Sequence, residues 1–501
     1  MTPDASRVSI ARQEYAQYSK CPPYNPSVSY PEYSFGSERD PTNHVYGTVR
    51  DSLLQLGMDS HNSGTSKWNP LSEIVNPGET VVIKPNMIAH QPANSGAWEC
   101  LITHGSVLRP VVDYVYLALR GRGRIIIADA PQEDSLIDII KDRLGIAQIQ
   151  DLYARSKNFE IEFFDLRDKH LVSKDGVYVQ TVQLAGDPLG NAHANLGANS
   201  HFSEVDGQGK RYYGAFYDLE ETNHHHRDGV HEYMISRTAL CADVFISVPK
   251  MKTHKKVGVT LNLKGLVGIN GQKNWLPHYA IGSPEGKGDQ FQTLGALSRL
   301  ENGLVLRVKA LLLERNRLAS FAARKLKRLA YLIFGDTEQV IRSGNWYGND
   351  TCWRMTLDLN RILLYADSDG KLTQHRKRFF SIVDGIIGMD GNGPVAGSPK
   401  PMGLILAGMD PVAVDTVAAT VMGFDYRKIN LLSRAWERER YPLAICAPDD
   451  VSVYSSGTTR AKCLSELMGM SWPAFAPHFG WKGHIELTKV VNDPVACRIG
   501  D

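Results

Sequence analysis

Apolar runs too short for helices alternate with amphipathic stretches along much of this chain. Residues 80–84 (TVVIK) and 124–129 (RIIIAD) are short apolar runs that end in charge, the pattern of strands buried on both faces. Between them, 106–120 reads as an amphipathic helix with Ser106 as its cap. Further strands are predicted at 160–165, 177–184, 243–248, 381–386 and 403–408, and a helix over Asp410–Met422, with Asp410 as cap and Pro411 in its first turn. Upstream, Val45, Val49, Leu53 and Leu54 share one helical face, and Gly57 is placed to end that helix. Residues 1–40, rich in Pro, Tyr and Ser, read as an irregular arm, and Gly186–Gly209 as a long loop. Strands alternating with helices predict an α/β fold: two Rossmann-like lobes with mainly parallel sheets and a cleft between them. The expected division is an arm and helix over 1–75, a first lobe over 76–302, a basic helical insertion over 303–343 and a second lobe over 344–501.

Composition narrows the picture. The chain has 501 residues, 43% of them hydrophobic and 22% charged, ordinary for a globular protein but long for one core. A net charge of +2 lacks the basic excess of a nucleic-acid binder. The seven cysteines are scattered without a CxxC pair, so no iron–sulfur cluster is expected and a reducing compartment is. The first twenty residues hold no apolar core of a secretory leader, and no run of about 18 apolar residues occurs; a cytoplasmic location follows as the expectation. Residues 303–334 carry Arg307, Lys309, Arg315, Arg317, Arg324, Lys325, Lys327 and Arg328 between apolar positions, a pattern able to rest on an anionic membrane surface or to serve as an ordinary surface helix.

Candidate chemistry concentrates in four segments. In 248–256 (VPKMKTHKK), Lys250, Lys252, Lys255, Lys256 and His254 follow an apolar strand, and 262–265 (NLKG) and 268–278 (GINGQKNWLPH) add Lys264, Lys273 and His278. Lysines on glycine-rich segments neutralise phosphates or carboxylates, and His254 and His278 suit proton transfer. In open parallel sheets ligands lie beyond the carboxyl ends of strands, where Lys84, Asp129, Lys250 and Asp384 are predicted. His225 and His231, near Glu232, have the density of a metal site but no standard zinc spacing. Asp384 and Asp390 flank a glycine-rich turn, and Asp415 sits among apolar residues; carboxylates of this kind suit a divalent cation, while Asp-Gly turns explain the loop equally well. Trp346, in 344–351 (GNWYGNDT), can stack on a sugar. Arg109 and Asn86 complete the anion-binding set.

Several of these motifs, in this order, resemble the DUF362 family: KPN at 84–86, PKMKTH at 249–254, NLK at 262–264, LPH at 276–278, DGIIG at 384–388 and DPVAVD at 410–415. The resemblance runs over roughly 78–440. Many family members carry an added ferredoxin-like segment that this chain lacks, and the family name implies no activity. A looser similarity, in the layout of 103–129 and in GQK at 271–273, is to the nickel-pincer lactate racemase family; it implies only two α/β lobes around a cleft.

Three readings follow. The leading one is an enzyme acting on a small anionic substrate containing phosphate, carboxylate or sugar. In it His254, His278, Lys252 and Asp129 carry the chemistry, and Lys84, Asn86, Lys250, Lys264, Lys273, Arg109 and Trp346 bind. A divalent metal on Asp384, Asp390, Asp415, His225 and His231 is compatible with it. The others are a non-catalytic binding or assembly protein held at a membrane by 303–334, and a metal-cofactor or redox protein. Substrate, reaction and oligomeric state are left open.

Overall fold

The computed structural model describes residues 4–94, 96–174, 177–215, 218–313, 322, 324–326, 339–458 and 460–488. Its centre is one large sheet. In chain order the strands are β1 (Arg7–Arg12), β2 (Thr80–Pro85), β3 (Arg124–Asp129), β4 (Ile161–Asp165), β5 (Val244–Val248), β6 (Lys250–His254), β7 (Gly258–Thr260), β8 (Arg378–Asp390), β9 (Ser398–Gly408) and β10 (Ser452–Ser455). They lie in the order β10-β1-β9-β8-β5-β2-β3-β4, with β6 beside β8 and β7 beside β6. The run β8-β5-β2-β3-β4 is parallel throughout, while β9 is antiparallel to both β8 and β1.

Six helices frame the argument: α1 (His44–Gln55), α2 (Gly105–Leu119), α3 (Asn262–Gly265), α4 (Ala296–Leu313), α5 (Cys352–Tyr365) and α6 (Pro411–Val421). Alternate strand residues feed two cores. Val81, Ile83, Ile125, Ile127, Val244 and Ile246 join the apolar faces of α1 and α2. Val82, Ile126 and Phe245 join α5 and α6 on the other side. That two-sided burial is why these strands read as continuous apolar runs.

The α/β class with a mainly parallel sheet is as expected. The strands assigned to the two lobes are joined, however: β5 of the first pairs with β8 of the second, so both halves share one sheet. Three local expectations are corrected. The N-terminal arm contributes β1, which pairs with β9 and β10. His104, not Ser106, caps α2, its ring accepting from the Ser106 N–H. The expected loop 186–209 contains a strand, Asn191–Asn195. Residues 177–183 do form a strand, but in a separate hairpin with Lys169–Lys174. The basic stretch 303–334 begins within α4, and most of it lies outside the described residues. Among the described residues, no helix is long and apolar enough to cross a membrane.

The lysine-rich segment is a strand rather than a loop. β8 is long enough to pair first with β5 and then, past Pro249, with β6. Asp384 of β8 fixes this extension. Its Oδ2 accepts from the Lys250 amine and the His104 backbone N–H, both at 3.0 Å, and its Oδ1 accepts from the Tyr18 hydroxyl at 2.6 Å. Lys250 and Asp384 are fully buried. Removing one partner leaves a desolvated charge. Asp384→Ala is therefore expected to cost ~3–5 kcal/mol in urea unfolding, and Tyr18→Phe about 1 kcal/mol. A cost for Asp384→Ala no larger than that of Tyr18→Phe would show that the ion pair does not hold β6 in place.

Candidate functional site

Where β2 and β3 end, a cavity of about 700 Å³ opens. Its walls include the ends of β2 and β3, the segment 130–134 after β3, the run from His254 at the end of β6 to Lys256, and the stretch from β7 through α3 to His278, with Tyr178, Ala215 and Pro394. Five lysines line it, Lys84, Lys255, Lys256, Lys264 and Lys273, with His254 and His278; the carboxylates are Asp129, Glu133 and Asp134.

Lys84 and Asp129 form a buried ion pair at 2.9 Å. Asp129 also accepts the backbone N–H groups of Met87 and Ala130, at 2.8 and 3.0 Å. Its oxygens thus hold Lys84 and the two loops in place. Gly268 makes this possible: a Cβ there would lie 1.8 Å from Asp129 Oδ1 and 2.8 Å from the Lys84 amine.

Lys256, Lys264 and Lys273 have no carboxylate partner of this kind among the described residues. Lys273 donates to the carbonyl of Val267 at 2.7 Å, and burial brings it down to about 7 against the pull of Asp129 and Glu133. Lys256 donates to the carbonyl of Ser343, lies 4.6 Å from the centre of the Tyr279 ring, and is likewise lowered by burial to about 7. Burial also lowers Lys264. Glu133 is pushed up by burial, although Lys169, Lys273 and Arg167 pull the other way.

The two histidines are held in opposite tautomers. His254 Nδ1 accepts the Lys256 backbone N–H at 3.1 Å, which leaves the proton on Nε2. His278 Nδ1 lies 2.7 Å from the carbonyl oxygen of Leu276 and so donates to it, leaving a lone pair on Nε2. Burial and the surrounding lysines keep both rings neutral, His278 down at about 3 and His254 well below the ordinary histidine value. One ring therefore offers a hydrogen-bond donor and the other an acceptor.

Of the residues expected from sequence, Lys84, Asn86, Asp129, His254, Lys264, Lys273 and His278 meet at this cavity. Lys252 and Lys250 do not line it. Lys252 is fully buried, its amine on the carbonyls of Leu101 and Pro394 at 2.8 and 3.3 Å, and Lys250 is spent on Asp384. Arg109 is a core residue of α2, bonded to Asp113 at 2.7 Å and to the arm. Trp346 is buried, its indole N–H on the Asp289 carbonyl at 2.8 Å.

The expected metal set is dispersed. Asp384 serves Lys250. Asp390 ends β8 and lies 3.8 Å from Lys400. Asp415 on α6 accepts the Asn262 and Leu263 backbone N–H groups at 2.9 and 2.8 Å, capping α3. His225 stacks on Trp275 and bonds Glu232 at 2.8 Å, and His231 faces Asp206 at 3.2 Å. Among the described residues, no three His, Cys, Asp or Glu side chains converge as a metal site. Sequence reasoning missed Glu133, whose position four residues beyond a strand end was the available signal. It also left Lys255 and Lys256 out of the binding set despite their place in the lysine motif.

Gly268→Ala is expected to destabilise the protein by ~1–3 kcal/mol through overpacking against Lys84 and Asp129. Gly265→Ala, where a Cβ meets nothing within 4 Å, should be close to neutral in the same denaturant titration. Equal effects would mean that the Lys84–Asp129 pair gives way freely.

A crystal structure of a protein from Thermotoga maritima is similar at 11% identity and a TM-score of 0.30, covering 80% of this chain and 61% of that one. No curated protein matches. Neither finding supports the likeness to lactate racemases. Lys255, Lys256, Lys264, Lys273 and both cavity histidines fall within 198–420, whereas Lys84, Asp129 and Glu133 precede it. Over residues 198–420 the chain matches the family DUF362, described as a domain of unknown function, and it is to this family that the matched region belongs.

Proposed function

We propose that the protein is an enzyme that binds a small anionic substrate, bearing a phosphate or carboxylate group, in the cavity at the ends of β2 and β3, and moves a proton on it. The observation that carries the reading is the charge imbalance of the cavity: five lysines against three carboxylates, one of which is committed to Lys84. Buried amines without counter-ions are costly, and an anion is what relieves that cost. About 700 Å³ is the size of a metabolite site. His254 Nε2–H suits a developing negative oxygen, and His278 Nε2 suits a transferred proton. Burial is the main cause that keeps His278 neutral, and the lysine field adds to it; an anion beside the lysines would offset that field and so raise its basicity on binding.

The lysines set a pH dependence. In the unfolded chain they titrate near 10.4, and in the folded protein burial brings Lys256 and Lys273 down to about 7. Between about pH 7 and about pH 10 the unfolded chain therefore holds more protons, and stability rises with pH. An anion reverses the sign, because it favours the protonated amines. Sulfate, whose own charge is constant here, is expected to raise the melting temperature near pH 7 and to do so less near pH 9. Lys273→Met and Lys256→Met should each weaken sulfate affinity about tenfold, ~1.4 kcal/mol, in calorimetric titration. Sulfate binding that is absent, or that strengthens with rising pH, would sink the reading.

A further inference from the structure

Most lysines around the cavity are held by a neighbour: Lys84 by Asp129, Lys273 by the Val267 carbonyl, Lys256 by the Ser343 carbonyl and the Tyr279 ring. Lys264 differs. It lines the cavity at 8% exposure, and among the described residues its amine makes no hydrogen bond or ion pair. It sits on α3, a single turn whose leading N–H groups are fixed by Asp415. Burial and the nearby Lys84 charge favour its neutral form, with the Cys352 thiol opposing them. An amine that is desolvated, next to another cation and free of partners has the properties of a nucleophile rather than of a counter-ion.

We propose that Lys264 forms an imine with a carbonyl carbon of the substrate, which makes the substrate class an oxo acid or a phosphorylated carbonyl compound. The proposal rests on the anion-site reading above and narrows it. The Lys264 Nζ lone pair attacks the carbonyl carbon, a C–N bond forms, and the π pair moves to oxygen, which His254 Nε2–H stabilises by a hydrogen bond. His278 Nε2 takes a proton from the nitrogen and returns it to the oxygen. The second amine proton follows, the C–O bond breaks and water leaves. Amine and carbonyl yield imine and water, and no other reactant is consumed. The remaining lysines bind the anionic group.

Reductive trapping tests this. The wild-type protein is incubated near neutral pH with sodium cyanoborohydride and either pyruvate or glycolaldehyde phosphate, two arms that separate a carboxylate from a phosphate. Peptide mapping by mass spectrometry then locates the adduct. One adduct per chain, on Lys264, in at least one arm and suppressed by sulfate, is the expected result. Lys264→Arg and Lys264→Met, with folding checked by thermal unfolding, should lose it. No adduct, adducts spread over surface lysines, or an adduct on Lys256 or Lys273 in place of Lys264 would each overturn the imine. Sulfate binding measured separately on the wild type divides the failures: binding without trapping removes only the imine, and absence of both removes the anion site as well.

Discussion

Asp384 is the point at which the parts of this fold that build the site are tied together. A single buried carboxylate receives the amine of β6, the hydroxyl of the N-terminal arm and the first N–H of the turn into α2. A buried ion pair contributes little net stability unless its remaining valences are filled, and here they are. What it contributes is register. With Lys250 fixed opposite Asp384, the rest of β6 must run along the far half of β8, and His254, Lys255 and Lys256 emerge at the cavity.

The second constraint is the cost of crowding amines in a space short of carboxylates. Lys84 is matched by Asp129, but Lys256, Lys264 and Lys273 have no ion-pair partner among the described residues and are moved toward neutrality by burial. The fold carries this cost as a loss of stability. Such a loss is characteristic of binding sites, where groups are arranged for a partner rather than for the protein. The two cores, one with α1 and α2 and the other with α5 and α6 on the opposite face of the sheet, are large enough to sustain it.

How far the sequence was legible depended on whether the deciding interaction was local. Strands β2, β3 and β5 are apolar runs because both faces are buried, and that property is visible residue by residue. The cap of α6 by Asp410, bonded to the Val412 N–H at 2.8 Å, follows from adjacent residues. β1 was hidden because its evidence lies in Val8 opposite Gly408, four hundred positions away. Arg109 could have been set aside from sequence, since Asp113 stands one helical turn on. Within the lysine motif, composition does not separate Lys252, turned to the carbonyls of Leu101 and Pro394, from His254 at the cavity wall. Only the pairing of β6 with β8 does so. Asp415 shows the same limit, as the N–H groups that it caps belong to a helix about 150 residues away.

The opposed tautomers of His254 and His278 follow from backbone groups alone, the Lys256 N–H and the Leu276 carbonyl. They therefore do not depend on a ligand being present. What a ligand changes is the field. Burial lowers both rings first and the lysines add to it; an anion would offset the lysine part, so under the proposed function binding makes His278 a stronger proton acceptor. Binding and proton transfer are then coupled through charge rather than through movement. Among the described residues around the cavity, Lys264 is set apart by contact rather than by charge: Lys84, Lys256 and Lys273 each have a polar neighbour, and Lys264 makes no hydrogen bond or ion pair.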